Sequence, residues 1–187
     1  MEKVIIFSAP SGSGKTTVVR HLLEQVDDLE FSVSATTRPQ REHEVDGADY
    51  YFLSENEFRR RIEAGEFLEY EEVYPGRFYG TLKSEVQRIW DRGKAVVFDV
   101  DVMGGINIKE HYGQKALAIF LRTPSFEELK KRLEGRNTEN ADEVKKRLDK
   151  AEYELGFQEK FDIVLINNVL EHTFTESESV VHYFLKN

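Results

Sequence analysis

The stretch that most constrains this chain is APSGSGKTT at residues 9–17. It follows an apolar run, VIIF at 4–7, and precedes a segment with Val18, Val19, Leu22, Leu23 and Val26 at helical spacing. Strand, glycine-rich turn, Lys-Thr and helix in that order form the phosphate-binding loop pattern G-x-x-x-x-G-K-[ST], with Ala9 at the position of the first glycine. That position mainly needs a small residue. Gly12 and Gly14 let the backbone turn so that successive N–H groups converge on phosphate oxygens. Lys15 adds a point charge at the outer phosphates, and Thr16 offers a hydroxyl to Mg2+. The bland alternative, a Gly/Ser turn that caps a helix, does not require the Lys-Thr pair in this register.

The rest of the chain alternates. Residues 3–8, 94–101, 115–121 and 161–166 read as buried strands, because each is a nearly continuous apolar run. Helices are expected over 15–26, from Ser54 with Glu57 as capping partner to near Gly65, over 82–91 with Gly93 as the stop, and over 140–158. Thr123-Pro124 is expected to open a further helix as N-cap and first-turn proline. A last helix is expected over 175–185, from Thr175 with Glu178 as its capping partner. Such a pattern predicts an α/β fold, with a parallel sheet covered by helices on both faces. Residues 31–80, aromatic and with short extended pieces, read as an inserted mixed β/α subdomain, and 122–158 as a helical excursion. At 187 residues the chain is expected to be one domain, with no internal repeat and no linker.

Charge and composition exclude several classes. The net charge of −9 argues against a general nucleic-acid surface. Apolar runs fall short of the ~20 residues of a membrane span. The N-terminus begins a strand and lacks a signal-peptide layout, which predicts a cytoplasmic protein. There is no cysteine, so disulfides and thiolate metal sites are excluded. Positive charge gathers locally: residues 122–150 hold nine Lys/Arg against seven Asp/Glu, whereas 151–187 hold two against seven.

The loop does not name an acceptor. FSVSATTRPQREHEVDGADYYF at 31–52 and EFLEYEEVYPGRFYGT at 66–81 resemble the acceptor-binding segment of guanylate kinases. VVFDVDVMGG at 96–105 resembles that family's strand with two aspartates, and RLEGRNTENADEVKKRLDKAEYEL at 132–155 its lid. The resemblance runs through essentially the whole chain, in order. It implies a P-loop-type core over about 1–30, 82–122 and 159–187, a GMP-binding subdomain over about 31–81 and a lid over about 123–158. It implies Mg2+-dependent transfer of the ATP γ-phosphoryl group to GMP or dGMP by a monomer or homodimer, with no nucleic-acid or membrane partner.

The residues give this reading chemical content. Arg38 and Arg41, three apart in a loop, can clamp one phosphate, and Tyr50 and Tyr79 each offer it a hydroxyl. In the family the matching positions bind the GMP phosphate. Guanine presents donors at N1 and N2, which a carboxylate can accept. Glu66, Glu69, Glu71 and Glu72 are all available, and the residues alone do not choose among them. The resemblance selects Glu69, assisted by Asp101, with Ser34 and Thr81 completing the edge. Asp99 and Asp101 are expected to end the 94–101 strand on one side of the sheet, Asp99 toward the metal with Thr16 and Asp101 toward guanine. The resemblance also places Ala9, Pro10, Ser11, Gly12, Ser13, Gly14, Lys15, Thr16, Thr17 and Asn168 at ATP. It makes Lys15, Arg38, Arg136 and Arg147 the catalytic set, with Arg132 a weaker candidate.

An acceptor phosphate is already ionised near neutral pH, so no general base is needed, and the five scattered histidines read as ordinary. Subdomain and lid are expected to close over both nucleotides. Three departures stand out: Tyr70 in place of Trp, one extra residue in the turn at 73–80, and Asn137 in place of a lid glycine. Two other readings compete. A non-catalytic guanylate-kinase-like module that binds phosphopeptides would be expected to have lost the SGSGKTT loop. A small P-loop kinase acting on another acceptor would not need the Glu69, Ser34 and Asp101 set.

Overall fold

The computed structural model describes residues 1–135 and 141–187. In chain order the strands are β1 (Val4–Ser8), β2 (Leu29–Phe31), β3 (Ala35–Thr36), β4 (Tyr51–Phe52), β5 (Phe67–Tyr74), β6 (Arg77–Leu82), β7 (Ala95–Asp99), β8 (Ala116–Arg122) and β9 (Ile163–Ile166). The helices are α1 (Lys15–Gln25), α2 (Glu55–Glu63), α3 (Lys83–Asp91), α4 (Val102–Tyr112), α5 (Phe126–Glu134), α6 (Ala141–Leu155) and α7 (Leu170–Lys186).

The apolar runs pair as expected. β2-β7-β1-β8-β9 form a parallel sheet, with Phe7 opposite Asp99 and Ser8 opposite Phe120. Alternation along each strand divides its side chains between two cores. Ile5, Phe7, Val97, Ile119 and Leu121 meet α1 and α7 on one face. Val4, Ile6, Val96, Phe98 and Phe120 meet α3 and α4 on the other. Every residue of β1 is fully buried, so the chain leaves the sheet at the phosphate loop from an anchored strand.

Residues 31–82 carry a second sheet of order β4-β3-β6-β5. α2 starts at Ser54, which accepts from the Glu57 N–H at 3.2 Å, as the capping pattern predicts. Its Phe58 is buried against Phe67 and Phe78 at ring distances of 4.2 and 5.2 Å. Glu85 of α3 ties this sheet to the larger one. Its buried carboxylate accepts from the Val33 N–H at 3.0 Å, the Tyr51 hydroxyl at 2.8 Å and Arg88. Burial alone would raise its pKa, but these donors outweigh it and hold the carboxyl below its usual range.

Two expected helix starts need correction. α5 is capped by Ser125, which accepts from the Glu128 N–H, and not by Thr123, whose hydroxyl donates to the Ser125 carbonyl. α7 begins at Leu170, and Thr175 lies inside it, donating to the Glu171 carbonyl. Its predicted partner Glu178 pairs instead with His21, which stacks on Phe174 at 3.8 Å. The strand expected to run to 101 stops at Asp99, and Asp101 instead opens α4, a helix that was not expected.

Candidate active site

The loop between β1 and α1 is shaped by two glycines. Gly12 and Gly14 have φ of 91° and 89°, which L-residues with a Cβ rarely adopt. A Cβ at Gly14 would also lie 2.4 Å from Asn167 Nδ2. Gly14 is the N-cap of α1 and supplies no side-chain cap, so the first-turn N–H groups and the positive end of the helix dipole face a ligand. Asn167, buried beyond β9, braces the loop from behind. Its Nδ2 donates to the Ser13 carbonyl at 2.8 Å, and its Oδ1 accepts from Thr173 at 3.2 Å. The expected contact Asn168 is exposed at the start of α7.

β1 and β7 end side by side, so the loop and Asp99 leave the sheet at the same edge. Lys15 Nζ lies 2.5 Å from Asp99 Oδ1 and donates to the Val100 carbonyl at 2.7 Å. Thr16 Oγ1 is 3.4 Å from Asp99 Oδ2. Among the described residues no group of three or more His, Cys, Asp or Glu could hold a metal. One hydroxyl and one carboxylate are the hard oxygen ligands that suit Mg2+ when water and phosphate fill most of its shell. Asp101 departs from its expected place at the strand end. It is the N-cap of α4, with Oδ1 accepting from the Gly104 N–H at 2.8 Å. Its carboxyl still faces the cleft.

A cleft of 410 Å3 runs over residues 9–17 and is closed on its far side by Arg147, Lys150 and Glu154 of α6. Arg147 Nη2 donates to Ser11 Oγ, so this predicted lid arginine reaches the loop. Arg136 and Asn137 lie outside the described residues. Lys150 and Glu154, 3.7 Å apart, were not expected at the cleft. Burial raises the Glu154 carboxyl above its usual range.

A second cleft of 190 Å3 is lined by Ser34, Tyr50, Glu69, Glu71, Tyr79 and Asp101. Its two ends have opposite character. At one end Thr81 stands opposite Glu69 on the β5–β6 ladder and donates to its Oε1 at 2.8 Å. Burial, reinforced by the Asp101 charge, raises the Glu69 carboxyl despite that hydrogen bond. Glu71 is pushed up to about 7, first by its hydrogen-bonding contact with Asp101 and then by burial.

At the other end stand Tyr50 and Tyr79, and behind Tyr50 Arg38 forks onto Glu44, at 2.7 and 2.5 Å. Its guanidinium sits 4.8 Å from the Tyr50 ring centre, and Tyr79 meets Tyr50 edge-on at 6.0 Å. The Arg41 N–H also donates to Glu44, at 2.9 Å, and the Arg41 guanidinium is 4.0 Å away. The two predicted phosphate-clamp arginines thus converge on one carboxylate, a planar oxyanion with fork geometry like that a phosphate offers. Arg38 in particular holds Glu44 down to about 2. Sequence reading missed Glu44 because a pair six residues apart in a loop has no periodicity to reveal it. A third opening, lined by Thr16, Ser34, Tyr50 and Asp99, lies between the loop and this cleft.

Comparison with known proteins fits this arrangement along the whole chain. A family profile described as guanylate kinase matches residues 1–183. The guanylate kinase of Bacteroides fragilis is 54% identical, over 98% of this chain and 90% of that protein. That of Porphyromonas gingivalis is 51% identical, over 99% of both. The crystal structure of guanylate kinase from Anaplasma phagocytophilum superimposes with a TM-score of 0.75 at 30% identity, covering 97% of this chain and 85% of the other. With the profile and both relatives spanning nearly every residue from the loop to the end of α7, the chain belongs to the guanylate kinase family.

Proposed function

We propose that this protein is an ATP:GMP phosphotransferase that also accepts dGMP, with the donor over the 9–17 loop and the acceptor in the cleft of the smaller sheet. The observation that carries the reading is the polarity of that cleft. A tyrosine end, with Arg38 against the Tyr50 ring, and a carboxylate-hydroxyl end lie apart at one opening beside the phosphate loop, and guanosine monophosphate has the same polarity. Glu69 accepts from the guanine N1 and N2 donors, Thr81 and Ser34 complete the base edge, and Asp101 supports Glu69. Adenine lacks that donor pair and would leave the carboxylate unpaired, a penalty that discriminates strongly.

Arg38, Arg41, Tyr50 and Tyr79 hold the acceptor phosphate. Lys15 turns from Asp99 to the donor phosphates, and the α1 N-terminus cradles them through backbone N–H groups. Thr16 and Asp99 would hold Mg2+, which when bound offsets phosphate charge and aligns the outer phosphates. Arg147 stabilises the transferred group from the lid, the role that the resemblance also gives to Arg136. The acceptor oxygen is already ionised, so no side chain must take a proton from it. Residues 31–81 and 123–158 act as the moving parts around the core, and their closure keeps water from ATP. No helix among the described residues is long and apolar enough to cross a membrane. A cytoplasmic site of action follows from the substrates.

The test is ADP formation from Mg-ATP with GMP, dGMP, AMP, CMP and UMP in parallel. Strong turnover with GMP and little with AMP is expected. Equal turnover with AMP would overturn the guanine assignment and leave a kinase of broader specificity. GMP binding without turnover would favour a binding module.

A further inference from the structure

Glu71 lies in the acceptor cleft, but neither the base-reading nor the phosphate-reading set uses it. Its place along β5 is fixed by the ladder. Glu69 is opposite Thr81 and Glu71 is opposite Tyr79, with no irregularity between the two pairs. Alternation puts Glu69 and Glu71 on the same face of the strand, about 6.6 Å apart along it. Thr81 belongs to the base end of the cleft and Tyr79, edge-on to Tyr50, to the phosphate end. One step from Glu69 to Glu71 therefore runs from base toward phosphate, the direction in which a nucleotide's sugar lies.

The available chemistry at that point is narrow. Glu71 lines the cleft together with Asp101, whose Oδ1 is engaged by the Gly104 N–H. The two carboxyl groups line the same cleft. A phosphate oxygen would be repelled there, and the donor groups of the base are met by Glu69. The part of a nucleoside monophosphate that lies between and carries neutral hydroxyl donors is the ribose.

On the reading of the cleft given above, we propose that Glu71 is a specificity-determining residue that accepts a hydrogen bond from the acceptor's ribose 2′-hydroxyl, favouring the ribonucleotide over the deoxyribonucleotide. Because the contact is made equally before and during phosphoryl transfer, it acts on KM rather than on kcat.

The experiment measures kcat and KM for GMP and dGMP at saturating Mg-ATP, in the wild type, Glu71→Ala and Glu71→Gln. The wild type is expected to prefer GMP by about tenfold, the scale of one hydrogen bond to a carboxylate, with the difference in KM. Glu71→Ala should raise the KM for GMP until it meets that for dGMP, while the KM for dGMP, the KM for ATP and kcat stay near wild type. Glu71→Gln keeps an acceptor oxygen and should retain part of the preference. Equal changes for GMP and dGMP in Glu71→Ala would overturn the inference, whether the change is a loss through the base or a gain through relief of charge near the phosphate. A wild type that turns over both equally would overturn it too, while leaving the kinase reading intact. Absence of turnover with either would remove that reading and the inference together.

Discussion

The phosphate loop and the acceptor cleft lie side by side, yet they are built by different means. The loop hangs from β1, every residue of which is fully buried, and it presents backbone groups, a helix terminus and one lysine. The acceptor cleft is walled by β5 and β6, where β5 beyond Tyr70 is exposed, and it presents side chains: carboxylates at one end, and tyrosines backed by the Arg38–Glu44 pair at the other. Backbone recognition reads a phosphate chain, which is the same for every nucleotide. Side-chain recognition reads a base. The common part of the task therefore sits on the rigid sheet and the selective part on the thinner one.

Removing Lys15 attacks the backbone half where it has its one charged side chain. Lys15→Ala is expected to lower kcat about 10²–10³-fold, the usual loss on deleting a charge-stabilising group, in steady-state ADP formation. Glu69→Ala attacks the selective half. A loss of about 10² in kcat/KM for GMP is expected, with the advantage over AMP reduced by the same factor. Glu85 joins the two halves structurally, and Glu85→Ala leaves the Val33 N–H and the Tyr51 hydroxyl without their acceptor, while Arg88 keeps Glu30. Denaturant unfolding should show a destabilisation of about 2 kcal/mol.

Asn167→Ala removes the brace behind the loop and should raise the KM for ATP about tenfold, leaving acceptor selectivity unchanged. The smallest effect concerns Glu44. Its carboxyl, held at about 2 by Arg38, is depressed below its ordinary value of 4.5. The pair therefore stabilises the folded state above about pH 4.5 and loses that contribution as pH falls toward about 2. Thermal melts of Glu44→Gln and wild type should differ slightly at pH 7 and converge by pH 2.

The two halves also differed in how far the sequence revealed them. The loop, Lys15, Thr16 and four of the five core strands were legible, because fixed spacing and continuous apolar runs have one dominant structural meaning. β2 was not, being only three residues long. α4 was not anticipated, since Gly104 and Gly105 in its first turn have low helix propensity. In the fold they are contact positions: a Cβ at Gly105 would lie 2.4 Å from Ser8 Oγ. The start of α7 was displaced because Val169 provides no capping side chain, whereas Thr175 resembles a cap. In the acceptor cleft, residue types alone left four glutamates equivalent. The ladder separates them, putting Glu69 against Thr81 and Glu71 against Tyr79. The pairing of Arg38 with Glu44 and the choice of Asn167 as the loop's brace depend on loop geometry that no periodicity encodes.

The most direct measurement is a crossed one: KM for ATP and for GMP in wild type, Glu69→Ala and Asn167→Ala, determined in the same assay. If donor and acceptor are held by separate means, Glu69→Ala raises only the KM for GMP and Asn167→Ala only the KM for ATP. Both constants moving together in either variant would contradict the division between a backbone-built donor site and a side-chain-built acceptor site.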